Sequence, residues 1–203
     1  MSFFTQFASD PAVALIYILA IVVAITFHEF AHAWTADRLG DDTPRLQGRL
    51  SLSPLAHLDI AGSLSFLIFG FGWGKPVQYN PMRLPRKVDE LLVALAGPAS
   101  NLLLALALNL LALPFSGTTV QFLGVMADIN LTLAAFNLLP FPPLDGSSVV
   151  AYFWPEYRSP RFSQIGAIAL IAILLLDSSL ISDVITPVIY FFGQLTHLFG
   201  VLA

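Results

Sequence analysis

Residues 28–32 read His-Glu-Phe-Ala-His. Two histidines four residues apart share one face of a helix, so both imidazoles can reach a single cation. Glu29, beside the first of them, is placed to act on a water at that cation rather than on the cation itself. The chemistry this implies is metal-assisted hydrolysis. Chance produces the pattern on the order of once in 200 chains of this length, so the spacing alone does not decide the matter. A hydrolytic zinc site wants three protein ligands and an open position. His28 and His32 supply two, and the candidates for the third are His57, Asp59, Asp128, Asp145 and His197. Asp145 is the best of these. It closes Asn-Leu-Leu-Pro-Phe-Pro-Pro-Leu-Asp-Gly (137–146), where three prolines stop a regular helix at the end of an apolar segment. Irregular backbone at membrane depth is tolerated only beside protein or a water-filled cavity. Asp-Gly is also a common turn pair, so a plain turn carboxylate is the alternative. Two imidazoles and a carboxylate suit zinc best, and one Zn2+ ion is expected.

The elements that must carry these groups lie in an apolar chain. Of 203 residues, 57% are hydrophobic and 11% charged, against about 25% charged in ordinary soluble domains. So few charges argue against a soluble enzyme, and nine Lys and Arg against thirteen Asp and Glu leave no basic field for nucleic acid. The absence of cysteine excludes disulfides and thiolate metal sites. A bilayer-crossing helix needs about 20 apolar residues. Candidates run from Pro11 to Ala36, over about 91–113, from Val120 toward Pro140, from Ser163 to Leu176, and from Val184 to Val201. The first lacks the basic lead of a cleavable signal peptide. It carries His28, Glu29 and His32, and ionisable groups there cost several kcal/mol unless they have partners.

Every basic residue falls in one of three places: 38–49 after the first span, 75–87 before the second, and 158–161 between the third and fourth. The positive-inside rule puts these on the cytoplasmic side. His28 then lies roughly 14 Å inside that end, within the bilayer. Between the first two spans, the apolar run Ile60–Trp73 is too short to cross and contains glycines, which predicts a re-entrant or interfacial piece. Gly74–Leu84 predicts short extended strands broken by prolines. The expected architecture is an all-α polytopic membrane protein with about five apolar segments, four spans and a C-terminal one, plus a re-entrant or short β element between spans one and two. A single membrane-embedded domain over 1–203 is expected.

His28–Trp34 (HEFAHAW), 48–59 (GRLSLSPLAHLD), 71–77 (FGWGKPV), 92–101 (LVALAGPASN) and 136–146 (FNLLPFPPLDG) together resemble the site-2 protease family of intramembrane zinc metalloproteases, in its small prokaryotic form without a PDZ domain. The resemblance covers nearly the whole chain. It implies His28, His32 and Asp145 as zinc ligands and Glu29 as general base and proton shuttle. Asn137 is implied beside the active centre, hydrogen-bonding substrate backbone or a developing oxyanion, and Asn101 in a supporting role. The family motif often reads Asp-Gly-Gly, whereas Ser147 and Ser148 follow Gly146 here. The function then expected is hydrolysis of peptide bonds in or near transmembrane segments of membrane-protein substrates, at an active site in the cell membrane nearer the cytoplasmic side.

A helical substrate hides its carbonyls and must unwind, and an extended edge is a sound way to hold it. Val77 and Tyr79 in the 74–84 segment are the candidates for that edge. His57 is expected to be structural or to support the metal site, His197 to be interfacial, and Asp128 to sit near the outer leaflet or face another helix. A divalent-metal transporter using the same three ligands, and a non-catalytic member that binds substrates, are the rival functions. A transporter has no need of Glu29 between its ligands, and the intact His-Glu-x-x-His argues against the inactive binder.

Overall fold

The computed structural model describes residues 10–69, 72–176 and ten positions between 179 and 194. Helix α1, Pro11–Arg38, starts where Asp10 accepts hydrogen bonds from the Ala12 and Val13 amides and Pro11 supplies a preset φ. At 28 residues it is about 42 Å long, more than the ~30 Å hydrocarbon core of a bilayer. Its buried face is built from Ala20, Ala24, Ala33 and Ala36. Small residues of this kind let helix backbones approach where no hydrophobic effect drives association.

After the apolar helix α2 (Ile60–Phe69) come α3 (Lys87–Ala112) and α4 (Thr118–Asn137). At the start of α3, Asp89 receives both the Arg86 amide and its guanidinium, so the first turn is capped reciprocally. Pro98 lies inside α3. Helices α1, α3 and α4 pack on one another, around Ala20, Ala105, Leu108, Leu123, Met126, Ala127 and Leu131 at one end. The prolines at 140, 142 and 143 end α4. The short helix α5 (Asp145–Phe153) then packs on α3, and α6 (Pro160–Leu176) follows. Gly166 lets α6 pass the proline turn, for a Cβ there would lie 2.5 Å from Pro142 Cδ.

Three helices, α1, α3 and α4, are long and apolar enough to cross a membrane, at close to the expected boundaries. The segment expected as a fourth span is the 17-residue α6, and the last, at 184–201, lies mostly outside the described residues. The 60–73 run contains the ten-residue α2. No strand forms at 74–84 among the described residues; one isolated antiparallel bridge, Leu58 with Gly74, stands in its place. The physical reason is visible in the hydrogen bonds. Backbone groups that a partner strand would take are bonded to the side chains of Arg49, Glu29 and Asp41.

Candidate metal centre

His28 and His32 project from α1 into the packed bundle, 5% and 8% exposed. The Nδ1 of His32 lies 2.7 Å from the Val93 carbonyl of α3, an oxygen that can only accept. His32 Nδ1 therefore carries the proton, and its Nε2 carries a lone pair. The Nδ1 of His28 lies 2.7 Å from Asn101 Oδ1. That oxygen is identified by its own amide nitrogen, which donates to the Ala24 carbonyl at 3.0 Å and to Asn130 Oδ1 at 2.8 Å. Asn130 in turn donates to the Met126 carbonyl. His28 Nδ1 is thus also a donor, and its Nε2 lone pair is free to bind.

The two Nε2 atoms are 3.1 Å apart. Asp145 Oδ2 lies 3.1 Å from one and 3.3 Å from the other. Two neutral imidazoles and a carboxylate set this close repel unless a proton or a metal cation sits among them. Asp145 Oδ2 has no hydrogen-bond donor. A tetrahedral zinc with bonds of about 2.0–2.1 Å sets its ligand atoms about 3.3 Å apart, close to the spacing seen. The residues fit a divalent metal, with the other ring nitrogens held in the way that orients metal-binding imidazoles. The structure therefore brings together the expected triad of His28, His32 and Asp145. It also corrects one detail: Asp145 is not in irregular chain but is the first residue of α5, because the proline-rich turn ends at Leu144.

Two glycines make the closeness possible. A Cβ on Gly97 of α3 would fall 2.3 Å from His32 Nε2 and 2.6 Å from His28 Nε2. One on Gly146 would fall 2.2 Å from the Leu138 carbonyl oxygen, so the Asp-Gly pair lets α5 start against the end of α4.

Glu29 stands apart from the triad. Its Oε2 accepts the Val77 amide hydrogen at 2.9 Å. The segment bearing Val77 is clamped from the 39–57 connection. The buried Arg49 donates to the carbonyls of Ala56, Lys75 and Pro76. The fully buried His57 donates from Nε2 to the Ser51 carbonyl at 2.6 Å, and its own carbonyl accepts the Lys75 amide. At the far end, buried Asp41 accepts the Asn80 amide. His57 lies outside the His28, His32 and Asp145 cluster and is bonded within this clamp, and Asp59 caps α2 through the Gly62 amide at 2.8 Å. His197 lies outside the described residues.

A cavity of about 320 Å3 opens on the triad, lined among others by Glu29, Val77, Tyr79, Asn137 and Ser148. Asn137, the last residue of α4, donates to the Leu133 carbonyl at 2.9 Å. Burial, with the Glu90 carboxylate adding to it, pushes the Tyr79 phenol above its ordinary value, so it lines the cavity as a neutral group. Arg49, Asn130 and Gly97 were not singled out in the sequence. Arg49 and Gly97 lie in the segments that carry the family resemblance, which was the one available signal; Asn130 had none.

Apolar helices long enough to cross a membrane, packed around a His/His/Asp cluster that fits a divalent metal, are what the fold and the site define. Comparison with known sequences makes this specific: Peptidase family M50 matches residues 16–121 and 113–176. The chain belongs to this family, that of the site-2 proteases. It is 38% identical over 173 residues to a Bacillus subtilis (strain 168) protein named "Putative zinc metalloprotease YwhC", covering 78% of each chain. It is 34% identical over 152 residues to Rip2 of Mycolicibacterium smegmatis, which bears the same designation; there it covers 68% of this chain and 57% of the relative. Among solved structures, the site-2 protease from Methanocaldococcus jannaschii shares the fold, with a TM-score of 0.56 at 18% identity over 95% of this chain and 82% of that one.

Proposed function

We propose that the protein is an intramembrane zinc metalloendopeptidase that hydrolyses peptide bonds in or near the transmembrane segments of other membrane proteins. The observation that carries this reading is the convergence of two imidazole lone pairs and an orphaned carboxylate oxygen, with a glutamate on the same cavity. His28, His32 and Asp145 hold the metal. Zinc there supplies Lewis acidity, which polarises a carbonyl and makes water a stronger acid.

The remaining work belongs to the chain itself. Glu29 takes a proton from the attacking water and returns one to the departing amine. Its bond to the Val77 amide keeps the carboxylate aimed while it is ionised and weakens when it is protonated. Asn137 donates to the oxyanion as charge develops, a contribution of about 3 kcal/mol for one such donor, which requires its amide to leave the Leu133 carbonyl. The Val77–Tyr79 segment holds unwound substrate as an added strand. Because the Val77 amide serves Glu29, Val77 pairs through its carbonyl alone. The site lies inside the bilayer nearer the cytoplasmic face. This is supported by the ten residues, about 15 Å, from His28 to the Arg38 end of α1, beyond which the basic segments begin.

The test is reconstitution with a tagged single-span substrate, comparing wild type, Glu29→Gln and Asp145→Ala. Glu29→Gln is expected to keep its metal and lose cleavage by about 10²- to 10⁴-fold. Asp145→Ala is expected to lose both. Equal cleavage by wild type and Glu29→Gln would end the mechanism.

A further inference from the structure

A second cavity, of about 220 Å3, lies beside the metal cavity. Ile18, Val22 and Ile25 of α1 form one side, Gly62 and Phe66 of α2 the other, and Trp73 the end. No charged residue lines it. Ile25, Gly72 and Trp73 line both cavities, so the two spaces share a wall. That wall stands next to the glutamate: a Cβ built on Gly74 would lie 2.9 Å from Ile25 Cγ2 and 3.6 Å from Glu29 Oε1. Positions 18–25 precede His28 along α1, so the cavity runs from the metal site away from the Arg38 end of that helix.

The space is a built feature rather than a gap between sliding helices. A Cβ on Gly62 would lie 2.0 Å from the Trp73 carbonyl oxygen, and one on Gly72 would lie 2.2 Å from the Gly62 carbonyl oxygen. The start of α2 is thus fixed to the 72–73 chain by two close backbone approaches. Among the described residues, α2 packs closely along none of the long helices. It is held at one end and leaves the crevice beside α1 open.

We propose that this cavity is a specificity subsite, taking one large apolar side chain (Leu, Ile or Phe) of the substrate next to the scissile bond. The proposal rests on the hydrolytic reading above. An apolar cavity of about 150 Å3 stays dry and accepts a benzene-sized group, so the volume here suits one phenyl or branched aliphatic side chain. A substrate lying extended across the metal cavity presents alternate side chains to its two sides. One beside the scissile carbonyl reaches the Ile25–Trp73 wall. A lipid tail would meet the same apolar walls, but the continuity with the cavity that must hold the scissile bond favours the substrate.

The experiment uses the full chain in liposomes and a tagged single-span polypeptide with a Leu/Ala core broken by one central Gly, its cleaved bond mapped by mass spectrometry. Each residue within four of that bond is made Leu or Ala in turn. One position is expected to dominate, Leu over Ala by about tenfold or more in kcat/KM. Val22→Phe, which fills the cavity, is expected to invert that ratio, and Phe66→Ala, which enlarges it, to shift the preference toward Phe. Zinc content checks that each variant is folded. A wild type that cleaves with no preferred position overturns the subsite alone. So does a pair of variants that change Leu and Ala substrates by the same factor, as a lipid-filled crevice would give. A zinc-loaded wild type that cleaves none of the substrates overturns the hydrolytic reading itself.

Discussion

The imidazoles and the glutamate between them sit on one turn of α1, yet two unlike regions hold them. His28 and His32 are oriented from α3, by the Asn101 side chain and the Val93 carbonyl, and Asn130 of α4 braces Asn101. These contacts run between the packed long helices. Glu29 meets a backbone amide in an extended segment, which is held by side chains of the connection between α1 and α2. On the proposed function, the metal ligands and the base therefore have separate supports, and each is expected to be weakened without the other.

The strongest break should come where helix meets metal site. Gly97→Ala puts a methyl group against both Nε2 atoms, and overpacking of about 1–3 kcal/mol or more predicts a loss of zinc affinity of about five- to over a hundredfold, with activity following. Isothermal titration with zinc checks this; unchanged affinity would mean that α3 does not approach the ligands as closely as described. Asn101→Ala leaves the His28 ring free to turn and should cost about 10–100-fold in zinc affinity. Asn101→Asp still accepts from Nδ1 but sets an oxygen against the Ala24 carbonyl and Asn130 Oδ1, so it should restore only part of it.

The other support is tested by the opposite pattern. Arg49→Ala frees the carbonyls of Lys75 and Pro76, so the Val77 amide drifts from Glu29. We expect kcat to fall about tenfold while zinc affinity holds, since mispositioning of a catalytic group costs rate rather than metal. Arg49→Lys should rescue it poorly, because an ammonium lacks the planar fork that spans several acceptors. A matching loss of zinc in Arg49→Ala would merge the two regions into one. The smallest effect is expected from Tyr79→Pro, which removes one amide from the substrate-pairing edge without touching the Val77 bond. A severalfold rise in KM at constant zinc content is the outcome expected, and unaltered cleavage would remove the strand-addition step.

The same division explains what the sequence disclosed. His28, His32 and Glu29 follow from helical periodicity, which is local. Asp145 followed from a proline run that must interrupt a membrane helix. That α5 begins at Asp145 was not legible, because Leu144 before it offers no capping side chain. Asn130, 29 residues from Asn101, gives no periodic cue to their pairing. The strands expected at 74–84 show the limit from the other side. The chain runs without helix from 75 to 80 and then turns through a short 3-10 helix at Pro81–Arg83, and side chains from Asp41, Arg49 and Glu29 take the hydrogen bonds a sheet would use.

If one cation is shared by α1 and α5, metal stoichiometry in the purified protein will show it. One zinc per chain in wild type and in Glu29→Gln, with zinc lost from Asp145→Ala at the same protein concentration, is the predicted result. Equal zinc in wild type and Asp145→Ala would contradict it.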